Sequence, residues 1–176
     1  MLKKLSERKL SKTIYNLSTD INLEFDFILI GISSILKDYR LCHYVNKNSN
    51  FKLIFGKENP YDEKGNKKLH KTQAELDYHI LNFTLKNKVK ETHHFKTYRD
   101  VSGDLERECY MLINKSLEGR LLISETANFD AFLLIKHFID EEDLSALLTG
   151  LNRVDGILLA KEIDPKILKS KENLIF

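Results

Sequence analysis

The stretch Phe129 to Ile163, FDAFLLIKHFIDEEDLSALLTGLNRVDGILLAKEI, decides the fold. Phe129 to Phe138 is apolar on both faces, the pattern of a strand buried inside a sheet. Asp140 supplies a carboxylate to cap the helix that follows. Glu141, Glu142 and Asp143 then place negative charge in its first turn, where the helix dipole favours it. Leu144, Leu147, Leu148 and Leu151 recur at helical spacing and mark the face that turns inward. Arg153 sits in the last turn, Asp155-Gly156 is the stop, and Ile157 to Ile163 reads as a returning strand. These features define a compact β-α-β unit.

A looser unit of the same kind lies upstream. Asn22 to Ile32 (NLEFDFILIGI) alternates apolar and acidic residues, then becomes apolar on both faces, as a strand entering a core does. Ser33 and Ser34 offer hydroxyl caps for a helix running to about Asn48, with Asp38, Leu41, Cys42 and Val45 on one stripe, and Phe51 to Phe55 reads as the next strand. Between the two units lie a long loop, Gly56 to Lys71, and four strand-like runs. The first, Glu75 to Leu85, shifts its apolar phase midway, a sign of a bulge or of two-sided burial. The others, near Phe95 to Val101, Glu108 to Ile113 and Arg120 to Ser124, are spaced as an antiparallel meander. The expected fold is α+β: an antiparallel sheet with two main helices on one face, an elaborated ferredoxin-like sandwich, with a longin- or profilin-like arrangement as the alternative. Residues 1–20 read as a basic N-terminal extension and 21–176 as a single domain.

Composition narrows the function classes. The 176 residues are 42% hydrophobic and 31% charged, with 7 Gly and 2 Pro, which excludes collagen-like and low-complexity chains. Lys and Arg total 28 against 26 Asp and Glu, a net charge of +2, so no DNA-binding footprint is expected. The longest apolar run, Phe27 to Ile32, is far below the ~18 residues that read as a membrane-spanning helix. No apolar signal segment follows the basic start, and Cys42 and Cys109 lack a CxxC partner. The expectation is a cytoplasmic chain with two reduced, buried thiols and no membrane association.

Three stretches carry a family resemblance: Leu29 to Cys42 (LIGISSILKDYRLC), Arg120 to Lys136 (RLLISETANFDAFLLIK) and the closing Ser170 to Phe176 (SKENLIF). Together they resemble the IPExxxVDY family of Bacteroidetes proteins over nearly the whole chain. At the naming motif the sequence keeps Ile123, Glu125 and Asp130, while Ser124 stands where the motif has Pro, Phe129 where it has Val and Ala131 where it has Tyr. The resemblance emphasises Glu125 and Asp130. It implies a fold context and no particular reaction.

Each candidate site has a plainer reading beside it. Glu125 and Asp130 form a potential carboxylate pair for acid/base work, but carboxylates flanking a turn commonly accept its backbone N–H groups. Gly31, Ser33, Ser34, Lys37 and Arg40 suggest an anion or ligand site at a strand-to-helix turn, without the glycines of a phosphate loop. Adjacent His93 and His94 point to opposite faces of a strand, and none of His43, His70, His79 or His137 brings metal-ligand spacing. Neither a metal nor a cofactor is expected. Cys42-His43 reads as a core thiol beside an exposed imidazole. Lys64, Lys67, Lys68 and Lys71, with the basic N-terminus, are the best RNA-contact candidates, diluted by Glu58, Asp62 and Glu63. The reading that follows is a non-catalytic protein that binds a protein partner, a second copy of itself or a small ligand. The alternatives are an RNA-associated accessory protein using loop 57–71 and an enzyme built on Glu125 and Asp130.

Overall fold

The computed structural model describes residues 27–56, 77–85, 88–100, 108–136 and 139–175. The N-terminal extension, the lysine-bearing loop 57–71, His70 and His137 lie outside them. Strand β1 (Ile28–Ser34) is an interior strand, apolar on both sides, with Leu29, Ile30 and Ile32 fully buried. It pairs antiparallel with β6 (Ala131–Ile135) on one side and β7 (Ile157–Ile163) on the other. Beyond β6 lie β5 (Cys109–Ile113), β4 (Lys90–Asp100) and the short β2 (Leu53–Ile54), giving the order β2-β4-β5-β6-β1-β7. Strand β3 (Tyr78–Thr84) pairs with the first half of β4, whose second half enters the main ladder, and the sheet curls along this shared strand.

Helix α1 (Asp38–Lys47) follows β1, and α2 (Glu141–Asn152) links β6 to β7. Both β6 and β7 are antiparallel to β1, so they run parallel to each other with β1 between them, and the unit read from Phe129 to Ile163 is a split β-α-β. As expected, Asp140 caps α2 by accepting the Asp143 N–H at 2.8 Å. Gly156 closes the stop at φ +95°, a conformation that β-carbon sterics disfavour in other residues.

Strand alternation splits the core in two. Ile30, Ile32, Met111, Leu133 and Ile135 face α1 and α2, whose Leu41, Val45, Leu147 and Leu151 complete that layer. Leu29, Leu112, Phe132 and Leu134 face the other way, onto Leu122, Ile123, Phe129, Leu168 and Leu174. The second layer is roofed by turns: a 3-10 turn at Ser124–Thr126 and two more at Pro165–Ile167 and Lys171–Leu174. Arg120 lays its guanidinium 3.8 Å above the Phe83 ring and ties the β3–β4 hairpin to this roof.

Several sequence expectations are corrected. Ser33 and Ser34 do not cap α1. They continue β1, opposite Leu159 and Ile157, and α1 begins at Asp38 behind an N-cap, Lys37, that makes no side-chain capping bond. Residues 120–124 form no strand, because after one bridge, Lys115 to Leu121, the backbone turns under the sheet. The β3–β4 ladder keeps a single register from Tyr78 opposite Lys96 to Thr84 opposite Lys90, so the phase shift there is no bulge. The register shift lies instead between Ser33 and Ser34, against β7. Strand β4 begins five residues before Phe95, since the polar run from Lys90 to His94 finds a partner in β3. Cys42 and Cys109 are buried and free. No described helix is long and apolar enough to cross a membrane.

Gly31 lies within β1 rather than at a turn. A β-carbon there would meet Ile163 Cδ1 at 2.5 Å and the Phe129 ring at 3.0 Å. Gly31→Ala is therefore expected to destabilise the chain by about 1–3 kcal/mol, the usual range for overpacking a filled core. Denaturant unfolding should show a lower midpoint at unchanged slope.

Candidate functional site

The end of β1, the turn from Leu122 to Asp130 and residues 170–174 are linked by hydrogen bonds, organised by a residue that sequence reasoning passed over. Asn114, 1% exposed, uses all four of its polar groups. Its N–H donates to Asp130 O at 2.9 Å and its carbonyl accepts from Leu122 N–H at 2.7 Å. Its side chain donates to Phe129 O at 2.8 Å and accepts from Ile123 N–H at 3.0 Å. The turn from Leu122 to Asp130 is thereby closed around one carboxamide. Asparagine's general taste for turns was the only sequence signal available.

This closure aims the motif residues. Phe129 is laid over Gly31, while Asp130 bridges to the end of β1, donating its N–H to Ile32 O and accepting the Ser34 N–H on Oδ2 at 2.7 Å. Ser34 Oγ donates to Gly156 O at 2.8 Å and accepts the Leu36 N–H at 3.0 Å. At the suspected anion site, then, the Ser34 donors are taken by the chain's own Asp130 carboxylate and Gly156 carbonyl. Gly31 is interior, Ser33 half-buried, and Lys37 and Arg40 exposed. Ile123 is fully buried.

Glu125 faces the C-terminal segment instead. Its carboxylate accepts the Ser170 N–H at 2.7 Å and the Ser170 hydroxyl at 2.9 Å. Burial alone would raise its pKa, but these hydrogen bonds, with the Ser124 hydroxyl, outweigh that and hold it near 2 against an ordinary 4.5. Nearby, Asn173 donates to Leu122 O at 2.7 Å and receives the His79 Nε2–H on its carbonyl at 2.8 Å. Glu125 and Asp130 thus serve separate backbone groups, one on the C-terminal segment and one on β1.

His93 and His94 share a carboxylate despite their opposite orientations. Glu118, on the turn beside β4, accepts the His94 N–H at 2.8 Å and lies 2.7 Å from His94 Nδ1 and 3.7 Å from His93 Nδ1. The His94 hydrogen bonds hold Glu118 near 2. Among the described residues no group of three or more His, Cys, Asp and Glu is arranged to hold a metal.

A cleft of about 500 Å³ lies between α1, β2 and β4. Asp38 forms its fixed centre, 2.6 Å from Lys96 Nζ and hydrogen-bonded to Tyr98. Burial pushes the Asp38 pKa up, but the bonds from Lys96, the Tyr39 N–H and Tyr98 win, and it is held below its ordinary value. The Phe55 ring lies tilted 5.4 Å from Tyr98 and edge-to-face 5.7 Å from Tyr78, with Lys96 Nζ 4.8 Å above it. Tyr39 is 60% exposed and Phe55 37%, both on the rim. Burial drives the Cys42 thiol up to about 12 and raises the Tyr98 hydroxyl, with Asp38 reinforcing both. Around neutrality the carboxylate stays ionised while thiol and phenol stay protonated. A second groove, about 470 Å³ between the end of α1 and the start of α2, is lined by Lys47, Asn48, Asn50, Phe51, Asp140 and Asp143 and presents no comparable aromatic rim.

No family model matches this chain, and no curated protein or solved structure matches it.

The depressed Glu125 pKa fixes the sign of a pH effect. Its contribution is complete above 4.5 and is lost as pH falls towards 2. Glu125→Gln should cost about 1 kcal/mol at neutral pH, the low end for bonds to a charged group that stays partly solvated, and should flatten the acid limb of the stability profile between those two values. Chemical denaturation at a series of pH values checks both.

Proposed function

We propose that this chain is a non-catalytic, cytoplasmic binding protein of the IPExxxVDY kind, and that it engages a protein partner or small ligand through the cleft between α1, β2 and β4. The observation that carries the reading is the pairing of exposed aromatic rims, Tyr39 and Phe55, with a floor whose charges are already fixed by the Asp38, Lys96 and Tyr98 contacts. Such a site offers apolar area at low ordering cost, the chemistry of interaction hot spots. The motif carboxylates Glu125 and Asp130 are each engaged with backbone groups, which favours binding over catalysis. Buried free thiols suit a reducing compartment.

The elaborated ferredoxin-like reading belongs with this proposal. Two β-α-β units, β1-α1-β2 and β6-α2-β7, and the partial order β7-β1-β6 ending at β2 support it, with β5 and β4 inserted between β6 and β2. An RNA-associated role is the second reading. Its support is in the sequence, where Lys64, Lys67, Lys68 and Lys71 follow Phe55 within sixteen residues.

Affinity capture from native lysate, with wild type, Tyr39→Ala and the remote surface variant Ile167→Ala as baits, tests the proposal. A partner or co-purifying metabolite should be retained by wild type and Ile167→Ala and weakened by about 2 kcal/mol in Tyr39→Ala, the scale of one aromatic hot spot. Equal retention by all three, or none by wild type, contradicts it. RNA binding that weakens steeply above ~50 mM salt and is lost when the four lysines become Glu would favour the second reading.

A further inference from the structure

Among the described residues, the two ends of the strand path from β2 to β7 carry the same contact, and β3 lies off that path. At the β2 edge, Asn46 of α1 donates from Nδ2 to Leu53 O at 2.8 Å and accepts the Leu53 N–H on Oδ1 at 2.9 Å. At the β7 edge, Asn152 of α2 donates to Ala160 O at 2.8 Å and accepts the Ala160 N–H at 2.8 Å. A carboxamide sets an N–H donor beside a carbonyl acceptor on a rigid plane, so it takes the two bonds that one residue of an added strand would make, with its second N–H left for another acceptor. In each case the asparagine belongs to the last turn of the helix that leads into the edge strand, seven residues ahead of Leu53 and eight ahead of Ala160.

We infer that β7 is a latent edge for pairing with a second copy of this chain, and that Asn152 holds it shut. Unpaired edge strands template association, and natural sheets cover or interrupt them. The two edges differ in what they would offer once open. Strand β2 has two residues, too few for a stable added ladder, whereas β7 has seven. The exposed side chains of β7 are Leu158 at 67%, Leu159 at 38%, Lys161 and Glu162. Two leucines supply apolar area, and the Lys–Glu neighbours cancel in charge, so two β7 edges would meet without net repulsion. Antiparallel strands can pair about a two-fold axis, which makes a second copy a self-complementary occupant. Asn152 also donates to Leu148 O at 2.8 Å, which holds the plug against its own helix.

The test is light scattering on the full chain across a concentration series, with folding checked by circular dichroism. Wild type should be free of β7-mediated dimer, and the Ala160 amide should show concentration-independent hydrogen exchange. Asn152→Ala, and Asn152→Ser as a second variant that also fails to span both backbone groups, should dimerise at least about tenfold more tightly. Adding Leu159→Lys to Asn152→Ala should restore the monomer, an effect that mere destabilisation would not produce. Asn46→Ala should not self-associate. A folded Asn152 variant that stays monomeric throughout, or a wild-type dimer joined at β7, overturns the inference.

Discussion

A carboxamide sealed away from water must find all its partners inside the protein, because an unpaired buried polar group costs roughly 1–3 kcal/mol. Asn114 meets that demand by binding Leu122, Ile123, Phe129 and Asp130, and in doing so converts the chain between β5 and β6 into a turn of one shape. The consequences spread outward. The turn lays Phe129 over the missing side chain of Gly31 and sets Asp130 against the end of β1. It presents Glu125 to Ser170 and the Leu122 carbonyl to Asn173, so the C-terminal segment closes over the second core layer. His79 then ties that segment to the β3–β4 hairpin.

This arrangement explains why the most suggestive residues in the sequence leave so little free chemistry. Each motif carboxylate is engaged with backbone amides of a distant segment, and the adjacent histidines are gathered on Glu118. The same economy governs the sheet edges, where two asparagines satisfy outward backbone groups. Among the described residues, the aromatic cleft beside α1 is one surface that stays open. Its polar members are paired among themselves, so a visitor would meet ring faces and a fixed dipolar floor.

The unit from β6 to β7 was legible because each of its signals acts locally. Apolar runs, a capping Asp140, acidic residues in one helical turn and Asp155-Gly156 need no distant partner to be understood. Residues 120–124 misled for the opposite reason. Leu122 and Ile123 are apolar because they are packed beneath the sheet, and Asn114, just after β5, holds them away from a ladder. Ser33 and Ser34 have the hydroxyls of helix caps, but pairing with β7 keeps them in β1. The polar start of β4 showed no strand pattern until β3 lay beside it. At the cleft, Tyr39 and Phe55 are separated by α1 and the turn into β2, and nothing in one-dimensional spacing joins them. Asn46 and Asn152 look like any solvated amide near a helix end until their edge strands are placed.

The central claim is that the motif turn is part of the cooperative core and not a mobile functional loop. Native-state hydrogen exchange of the Ser34 and Ile123 amides, which donate to Asp130 and Asn114, tests it most directly. Both should exchange only through global unfolding, with the same opening free energy as the buried Met111 amide in β5. Rapid local exchange at Ser34 and Ile123 while Met111 stays protected would contradict the account.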